Sequence, residues 1–253
     1  MSGLIAINTG DKSGLLYNGP TFTRIITTGS AQTWAKPPCN FVYMEWIGGG
    51  GAGGGGANAT DHSAGGGGGA AFNYGFFDGN TFPNVLTINI AAKTSNAGQG
   101  NPGSDGVQGN NTTITGTNLS LTGYGGGGGG GAGGTAEYDG EKGGGSTYGA
   151  GGGGSGGDVS GSGTQGGKRG GTWGSHTTGM GGQRANSGNN RPAGNGISRK
   201  YGCGDGGGAS QGTSSNAGDG GAPGGGGAGG GSGVVEGGTG GAGARGEVRI
   251  WTW

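Results

Sequence analysis

Runs of nearly pure glycine dominate this chain and limit the folds open to it. Glycine supplies 83 of the 253 residues, and the main runs lie at 48–56, 65–69, 125–134, 151–157 and 224–233. Leu, Ile, Val and Phe together supply only 29 residues, about 11%, whereas globular chains usually exceed roughly 20%. An ordinary apolar core for a chain of this length is therefore excluded. Charge repulsion does not hold the chain open, because 13 basic residues balance 13 acidic ones.

Glycine runs become ordered only if their backbone groups supply the stabilisation. They have no side chains to bury, and ordering each residue costs about 1–2 kcal/mol of backbone entropy. In polyproline-II geometry, with about 3 residues per turn, the N–H and C=O groups point outward, so that neighbouring segments can satisfy one another. Collagen is excluded because runs of consecutive glycines break its period of three. A flexible glycine linker is the alternative, but strands next to the runs favour an ordered lattice.

β-branched and aromatic residues predict those strands. The clearest is 41–47, FVYMEWI, which leads directly into the first glycine run. Further strands are expected at 85–90 and 247–253, and a hairpin at 112–121 is expected to turn at Gly116 and Thr117. No segment has a helical period. The predicted fold class is mostly β or irregular: a small β-sheet framework carrying a polyglycine-II-like, glycine-rich sandwich, with essentially no α-helix. We divide it into an N-terminal attachment and strand segment, 1–33, and a glycine-rich domain, 34–253.

Binding specificity is expected in the interruptions between glycine runs, since glycine offers neither charge nor stacking surface. The richest interruption, 158–201, has six basic residues and one acidic residue. Arginine forks and aromatic faces suit sugars and phosphate groups. Solvated loop charges are the alternative. The candidate binding residues are Lys168, Arg169, Trp173, His176, Arg184, Arg191, Arg199 and Tyr201.

A second group of aromatic residues, at 72–77, is expected to pack inside the protein. The chain has few other apolar residues with which to cover a sheet. The group consists of Phe72, Tyr74, Phe76 and Phe77.

Motifs of enzymes and of cofactor sites are absent from the sequence. The only histidines, His62 and His176, are 114 residues apart, which argues against a catalytic triad or a zinc site. Arg169 follows Lys168 where a phosphate-binding loop requires Ser or Thr, and a single Arg-Gly-Gly does not indicate RNA binding. We therefore expect no catalytic residues, no metal, no cofactor and no nucleic-acid partner. The protein is not predicted to be an enzyme.

The cysteine content and the hydropathy of the sequence indicate the cellular compartment in which the protein is made. Cys39 and Cys203 are expected to be unpaired thiols. The sequence shows neither a secretory signal nor an apolar stretch of about 18 residues. Synthesis in a cytoplasm without membrane insertion is the expectation.

The order of motifs resembles the glycine-rich domain of bacteriophage tail-fibre and tail-tip proteins. The motifs are TWAKP at 33–37, WIGGGG at 46–51, a second glycine run followed by AAF at 70–72, the strand at 85–90, and GEVRIW at 246–251. The chain also resembles, more loosely, the receptor-binding adhesins of T-even-type long tail fibres, which fold as polyglycine-II sandwiches. No match to the fibre-attachment part of those adhesins is present.

This resemblance implies a virion adhesin whose loops recognise a bacterial receptor, either an outer-membrane protein or a surface glycan. It also implies docking on another virion tail or fibre protein, for which we assign the N-terminal segment. Two alternatives remain: a structural virion fibre or capsid decoration protein, and a glycine-rich ice-binding or structural protein. Ice binders are expected to present a flat, regular and mostly uncharged face, unlike the clustered Arg and Trp residues of this chain.

Overall fold

The computed structural model describes seven stretches of the chain: 20–25, 31–57, 64–100, 103–132, 193–210, 216–233 and 236–253. These stretches contain β-strands and long segments without regular secondary structure, and no helix. The described part accordingly has no helix long and apolar enough to cross a membrane. The mostly β fold class predicted from the sequence is confirmed.

The described residues form eight strands in two antiparallel sheets. Their bounds are β1 (Thr21–Ile25), β2 (Gln32–Ala35), β3 (Phe41–Ile47), β4 (Phe72–Asp78), β5 (Val85–Asn89), β6 (Thr112–Gly116), β7 (Leu119–Gly123) and β8 (Glu247–Thr252). The first sheet has the order β1-β8-β3-β4 and the second the order β2-β5-β6-β7. The predicted strands at 41–47, 85–90 and 247–253 are confirmed as β3, β5 and β8. β1 lies within the predicted attachment segment and pairs with β8.

An apolar core lies between the two sheets. In β3 the residues alternate between the two faces, and Val42 and Met44 are fully buried. In β5 the same alternation buries Leu86 and Ile88. Side chains from both sheets, including Ile114 of β6, belong to one cluster. The few large apolar residues are thus concentrated in one place, and the remainder of the described chain relies on backbone contacts.

The β6–β7 hairpin turns one residue later than predicted. The strands pair Gly116 with Leu119, so that the turn residues are Thr117 and Asn118. Asn118 has a φ of 56°. Asn tolerates the left-handed conformation much better than β-branched Thr does, which explains why the turn is centred on this position.

The first glycine run, 48–56, together with Ala57 forms the central run of the glycine lattice and bonds to its neighbours with a period of three. The N–H groups of residues 48, 51 and 54 donate to the carbonyls of residues 71, 68 and 65. Those of residues 49, 52 and 55 donate to residues 110, 107 and 104, and those of residues 50, 53 and 56 donate to residues 244, 241 and 238. Three successive residues therefore donate hydrogen bonds to three different neighbouring segments, as polyglycine-II geometry requires.

Carbonyl groups of the central run bind three further neighbours. Residues 49, 52 and 55 accept hydrogen bonds from the N–H groups of residues 126, 129 and 132, and residues 51, 54 and 57 accept from residues 227, 230 and 233. Gly56 accepts from Gly100, in the segment 91–100. The central run consequently has six neighbouring segments, and three more, 193–199, 203–210 and 216–222, extend the lattice on one side through the same type of bond.

Close approach, rather than conformational freedom, is what requires glycine in the lattice. A Cβ added to Gly53 would lie 2.1 Å from the Ala228 carbonyl oxygen. Gly202 and Gly224 are the described glycines with positive φ, so most lattice glycines have a backbone conformation open to other residues. The missing side chain lets adjacent backbones form the hydrogen bonds that replace an apolar core.

Candidate functional site

The lattice has two different ends. At Gly48 the central run leaves β3, so this end, which we call the sheet end, adjoins the two sheets. At Ala57 the run reaches the opposite end, which we call the open end. Each neighbouring segment is hydrogen-bonded to the central run in a known register. These hydrogen bonds therefore show which residues of each segment lie at the sheet end and which lie at the open end.

Residues that border four undescribed segments meet around Ala57. Ala57, Ala64 and Ala132 form one buried cluster. The Gly233 N–H donates to the Ala57 carbonyl over 3.2 Å, and the Gly100 N–H donates to the adjacent Gly56 over 3.3 Å. The open end therefore includes the residues that flank segments 58–63 and 101–102. It also includes the residues that precede segments 133–192 and 234–235.

The remaining flanks lie at the same end. Ser210 Oγ accepts a hydrogen bond of 2.9 Å from Gly231, two residues before Gly233. Asn216 Oδ1 accepts one of 2.7 Å from the Thr239 hydroxyl, and its carbonyl accepts from the Ala193 N–H over 3.5 Å. The flanks of 211–215 and the second flank of 133–192 therefore also lie at the open end.

The described residues that flank the five undescribed segments of the lattice thus all lie at one end of it. The longest, 133–192, has 60 residues. It contains six of the predicted binding residues, which lie outside the described residues: Lys168, Arg169, Trp173, His176, Arg184 and Arg191.

The other two predicted binding residues lie at the sheet end. Arg199 binds the fully buried carboxylate of Asp205 with two nitrogens, at distances of 2.8–3.2 Å. This pair ties segment 193–199 to segment 203–210. Tyr201 is 58% exposed, and Lys200 Nζ lies 5.4 Å from the centre of its ring. Arg199 and Tyr201 therefore lie at the opposite end of the lattice from Ala193, the residue that follows the 60-residue segment.

A buried charge network lies near Tyr201, on the outer face of the first sheet. Arg249 Nε and Nη1 donate to Glu247 over 2.8 Å and to Glu45 over 2.9 Å, and its Nη2 donates to the Gly202 carbonyl over 2.9 Å. Arg249 and Glu247 are fully buried. The network fastens residues 202–205 to the sheet. Burial, reinforced by the Glu45 carboxylate, raises the pKa of Tyr43 to about 12.

Cys203 packs beneath this network. Its side chain is fully buried, and burial raises the pKa of its thiol. Cys39 and Cys203 are both free thiols, as predicted. A buried thiol with a raised pKa is a poor nucleophile. Among the described residues no group of three or more metal-ligating side chains comes together.

Aromatic rings cover the rest of this outer face, and we call this surface the aromatic face. Ring centroids are 5.4 Å apart for Phe41 and Phe76, 5.3 Å for Tyr43 and Trp251, and 6.4 Å for Tyr43 and Tyr74. The face consists of Phe41, Tyr43, Phe72, Tyr74, Phe76, Trp251 and Trp253.

The prediction that the aromatic residues at 72–77 are packing residues is wrong for two of them. Phe77 packs against Phe82 in the core, with ring centroids 4.9 Å apart, and Phe72 packs against the cluster around Ile47. Tyr74 and Phe76, however, are 59% and 60% exposed, because alternate residues of the edge strand β4 point outward. The alternating patterns FxYxF at 72–76 and WxW at 251–253 are the sequence signal for this face.

Two open grooves border the loop 79–84, at the end of the sheets away from the lattice. One has a volume of about 740 Å³ and includes Asp78, Asn80 and Asn84. The other, of about 650 Å³, includes Lys36 and Trp253. The Lys36 ammonium donates to the carbonyl of Gly79, which stabilises the loop between the grooves.

A family model matches the chain over most of its length. The model of a family described as a glycine-rich domain matches residues 26–252. No curated protein matches the chain significantly.

Proposed function

The chain belongs to the glycine-rich domain family, and from this premise we propose that it is a bacteriophage virion adhesin. It binds a bacterial surface receptor, an outer-membrane protein or a surface glycan, through the segments at the open end. The sheet end, with the N-terminal segment, attaches the protein to another tail or fibre protein. Binding is non-covalent and without turnover.

The observation that carries this proposal is the one-sided placement of the interruptions. The flanks of 58–63, 101–102, 133–192, 211–215 and 234–235 all lie at the open end. A recognition protein needs variable loops on a fixed scaffold. The glycine lattice meets this need because its segments are bonded laterally to several neighbours. Loop length and sequence are therefore free to vary without disturbing the register.

Charge and aromatic residues indicate what the loops bind. Arg199 and Lys200 lie at the sheet end, which leaves four basic residues and one acidic residue in 158–192. Arginine forks pair with phosphate and carboxylate groups, and Trp173 offers a stacking face. This composition suits an anionic glycan or an acidic loop of an outer-membrane protein.

The alternative of an ice-binding protein receives less support. In the peripheral segment 103–111 the side chains between the inward glycines are Ser104, Asp105, Val107, Gln108, Asn110 and Asn111. They form neither a repeated nor an uncharged row. This surface does not provide the regular face expected of an ice binder.

The test is binding of the purified, fluorescently labelled full chain to a panel of bacterial strains. We expect saturable binding to some strains, lost in Trp173→Ala/Arg184→Ala/Arg191→Ala. Truncations of central contacts cost about 1–2 kcal/mol each, so that the triple variant should weaken binding at least about 100-fold. The matched control, Lys200→Ala/Tyr201→Ala at the sheet end, should bind normally. Loss of binding only in the control would assign recognition to the sheet end and refute the proposal.

A further inference from the structure

We propose that two copies of this chain associate through β4 and form one continuous eight-stranded sheet. β4 is the last strand of the first sheet, and in the described part of the chain no strand pairs with its outer edge. An unpaired strand edge is a template for another strand. This inference is independent of receptor binding, since it concerns the edge of a sheet and not the loops.

The hydrogen-bond pattern identifies the backbone groups at this edge. Phe41 and Trp253 exchange two hydrogen bonds, of 2.9 and 3.2 Å, so the odd-numbered residues of β3 bond to β8. The even-numbered residues of β3 therefore bond to β4, opposite Asn73, Gly75 and Phe77. Bonds just beyond the strand, from Gly48 to Ala71 and from Gly79 to Asn40, agree with this alternation.

The N–H and C=O groups of Tyr74 and Phe76 consequently point away from β3. No described residue bonds them. An antiparallel copy placed with its two-fold axis at Gly75 brings Tyr74 opposite Phe76 of the second copy, and Phe76 opposite its Tyr74. The four N–H groups and four C=O groups then form four hydrogen bonds. The edge is thus complementary to itself, as a two-fold symmetric interface must be.

Side chains on the aromatic face favour the same partner. Tyr74 and Phe76 are 59% and 60% exposed, and association places them as two cross-strand aromatic pairs. Gly75 occupies the axis, opposite Gly75 of the second copy, as a non-hydrogen-bonded pair. The strand sequence FNYGFFD contains no Lys and no Pro, the residues that protect edge strands. The single charged residue, Asp78, is the last of the strand.

Antiparallel pairing also determines the shape of the assembly. β4 starts beside the lattice, after Ala70 and Ala71, and runs away from it. In the second copy the strand runs the opposite way, so the two lattices lie at opposite ends of the shared sheet. The two open ends face in opposite directions, and β1, at the other edge of each four-stranded sheet, stays outside the interface.

Sedimentation velocity of the full chain, over a hundredfold range of concentration, tests the association. We expect a reversible species of twice the 23.6 kDa chain mass. Tyr74→Lys/Phe76→Lys and Tyr74→Glu/Phe76→Glu should each remain monomeric, because like charges then lie opposite each other twice. An equimolar mixture should restore the doubled mass, since each Lys then faces a Glu. Tyr124→Lys, at a tyrosine that is 62% exposed and outside β4, is the control and should behave as the unmodified protein.

Three outcomes would overturn the proposal: a chain that stays monomeric throughout, a lysine variant that still dimerises, or a mixture of the two variants that does not associate. A monomeric chain would leave the edge to a strand from a different protein. Far-UV circular dichroism of each variant shows whether its sheets are intact, and the mixing experiment remains decisive because unfolded variants would not form a defined dimer.

Discussion

Adding one methyl group at the centre of the lattice should cost much of the protein's stability. In Gly53→Ala the new Cβ would lie 2.1 Å from the Ala228 carbonyl oxygen, whereas real Cβ atoms essentially never come within 3.0 Å of such a neighbour. The two segments would have to separate by about 0.9 Å. On either side of this contact, Gly227 donates to Gly51 and Gly230 donates to Gly54, each over 2.9 Å. Separation lengthens both bonds to about 3.8 Å, which is no longer a hydrogen bond.

The magnitude follows from those two bonds. Each buried group left without a partner costs about 1–3 kcal/mol, so that Gly53→Ala should destabilise the protein by about 3–5 kcal/mol. Native proteins have a total stability of about 5–15 kcal/mol. In a chain of this length the melting temperature should fall by about 10 °C.

Gly98→Ala is the matched control for this change. Gly98 lies in the lattice, but its nearest neighbour to an added Cβ is Ser104 Oγ, at 3.6 Å. The variant should be neutral, or more stable by up to about 1 kcal/mol because alanine restricts the unfolded chain. Thermal and urea unfolding of both variants give the comparison. Equal stability of Gly53→Ala and Gly98→Ala would refute the conclusion that close backbone contact requires glycine in the lattice.

Three further predictions concern the outer face of the first sheet. A thiol reagent should label only Cys39 in the native protein, and Cys203 only after unfolding, because burial both shields its thiol and raises its pKa; mass spectrometry would locate the label. Arg249→Met removes the ion pair of Glu45 and one of the two ion pairs of the buried Glu247, which keeps Arg245, and should cost about 3 kcal/mol in urea unfolding; no loss would mean that the network adds nothing to stability. The raised pKa of Tyr43 contributes stability that is complete below pH 10 and is lost as the pH rises to about 12; unfolding measured across this range should show a decline that Tyr43→Phe reduces.

Local sequence predicted β3, β5, β8 and the β6–β7 hairpin because each carries its signal in consecutive residues, whereas β2 and β4 were not predicted as strands. The alternation in 41–47 and 85–90 specifies both the strand and its buried face, and glycine content together with scarce apolar residues predicted a backbone-bonded lattice. The position of a strand in its sheet has no local signal. Tyr74 and Phe76 were accordingly predicted to be packing residues, although β4 is an edge strand.

The sequence also could not predict which lattice segments lie next to each other. Asp205, the partner of Arg199, lies in a different lattice segment, and only the fold brings that segment alongside. The common location at the open end of the residues that flank the interruptions also depends on the direction of each lattice segment relative to the central run. This property appears only when the hydrogen-bond registers are known.

The period of three gives each lattice segment a reading frame. In 103–111 every third residue is Gly103, Gly106 or Gly109, and an added Cβ at any of them would lie within 2.1 Å of the central run. Deleting one residue, such as Ser104, would rotate the following part of the segment by a third of a turn and direct Val107 and Asn110 at the central run. Deleting three would shorten the segment and keep the frame. Insertions and deletions within the described lattice segments should therefore be tolerated in triplets, much as in a coding sequence.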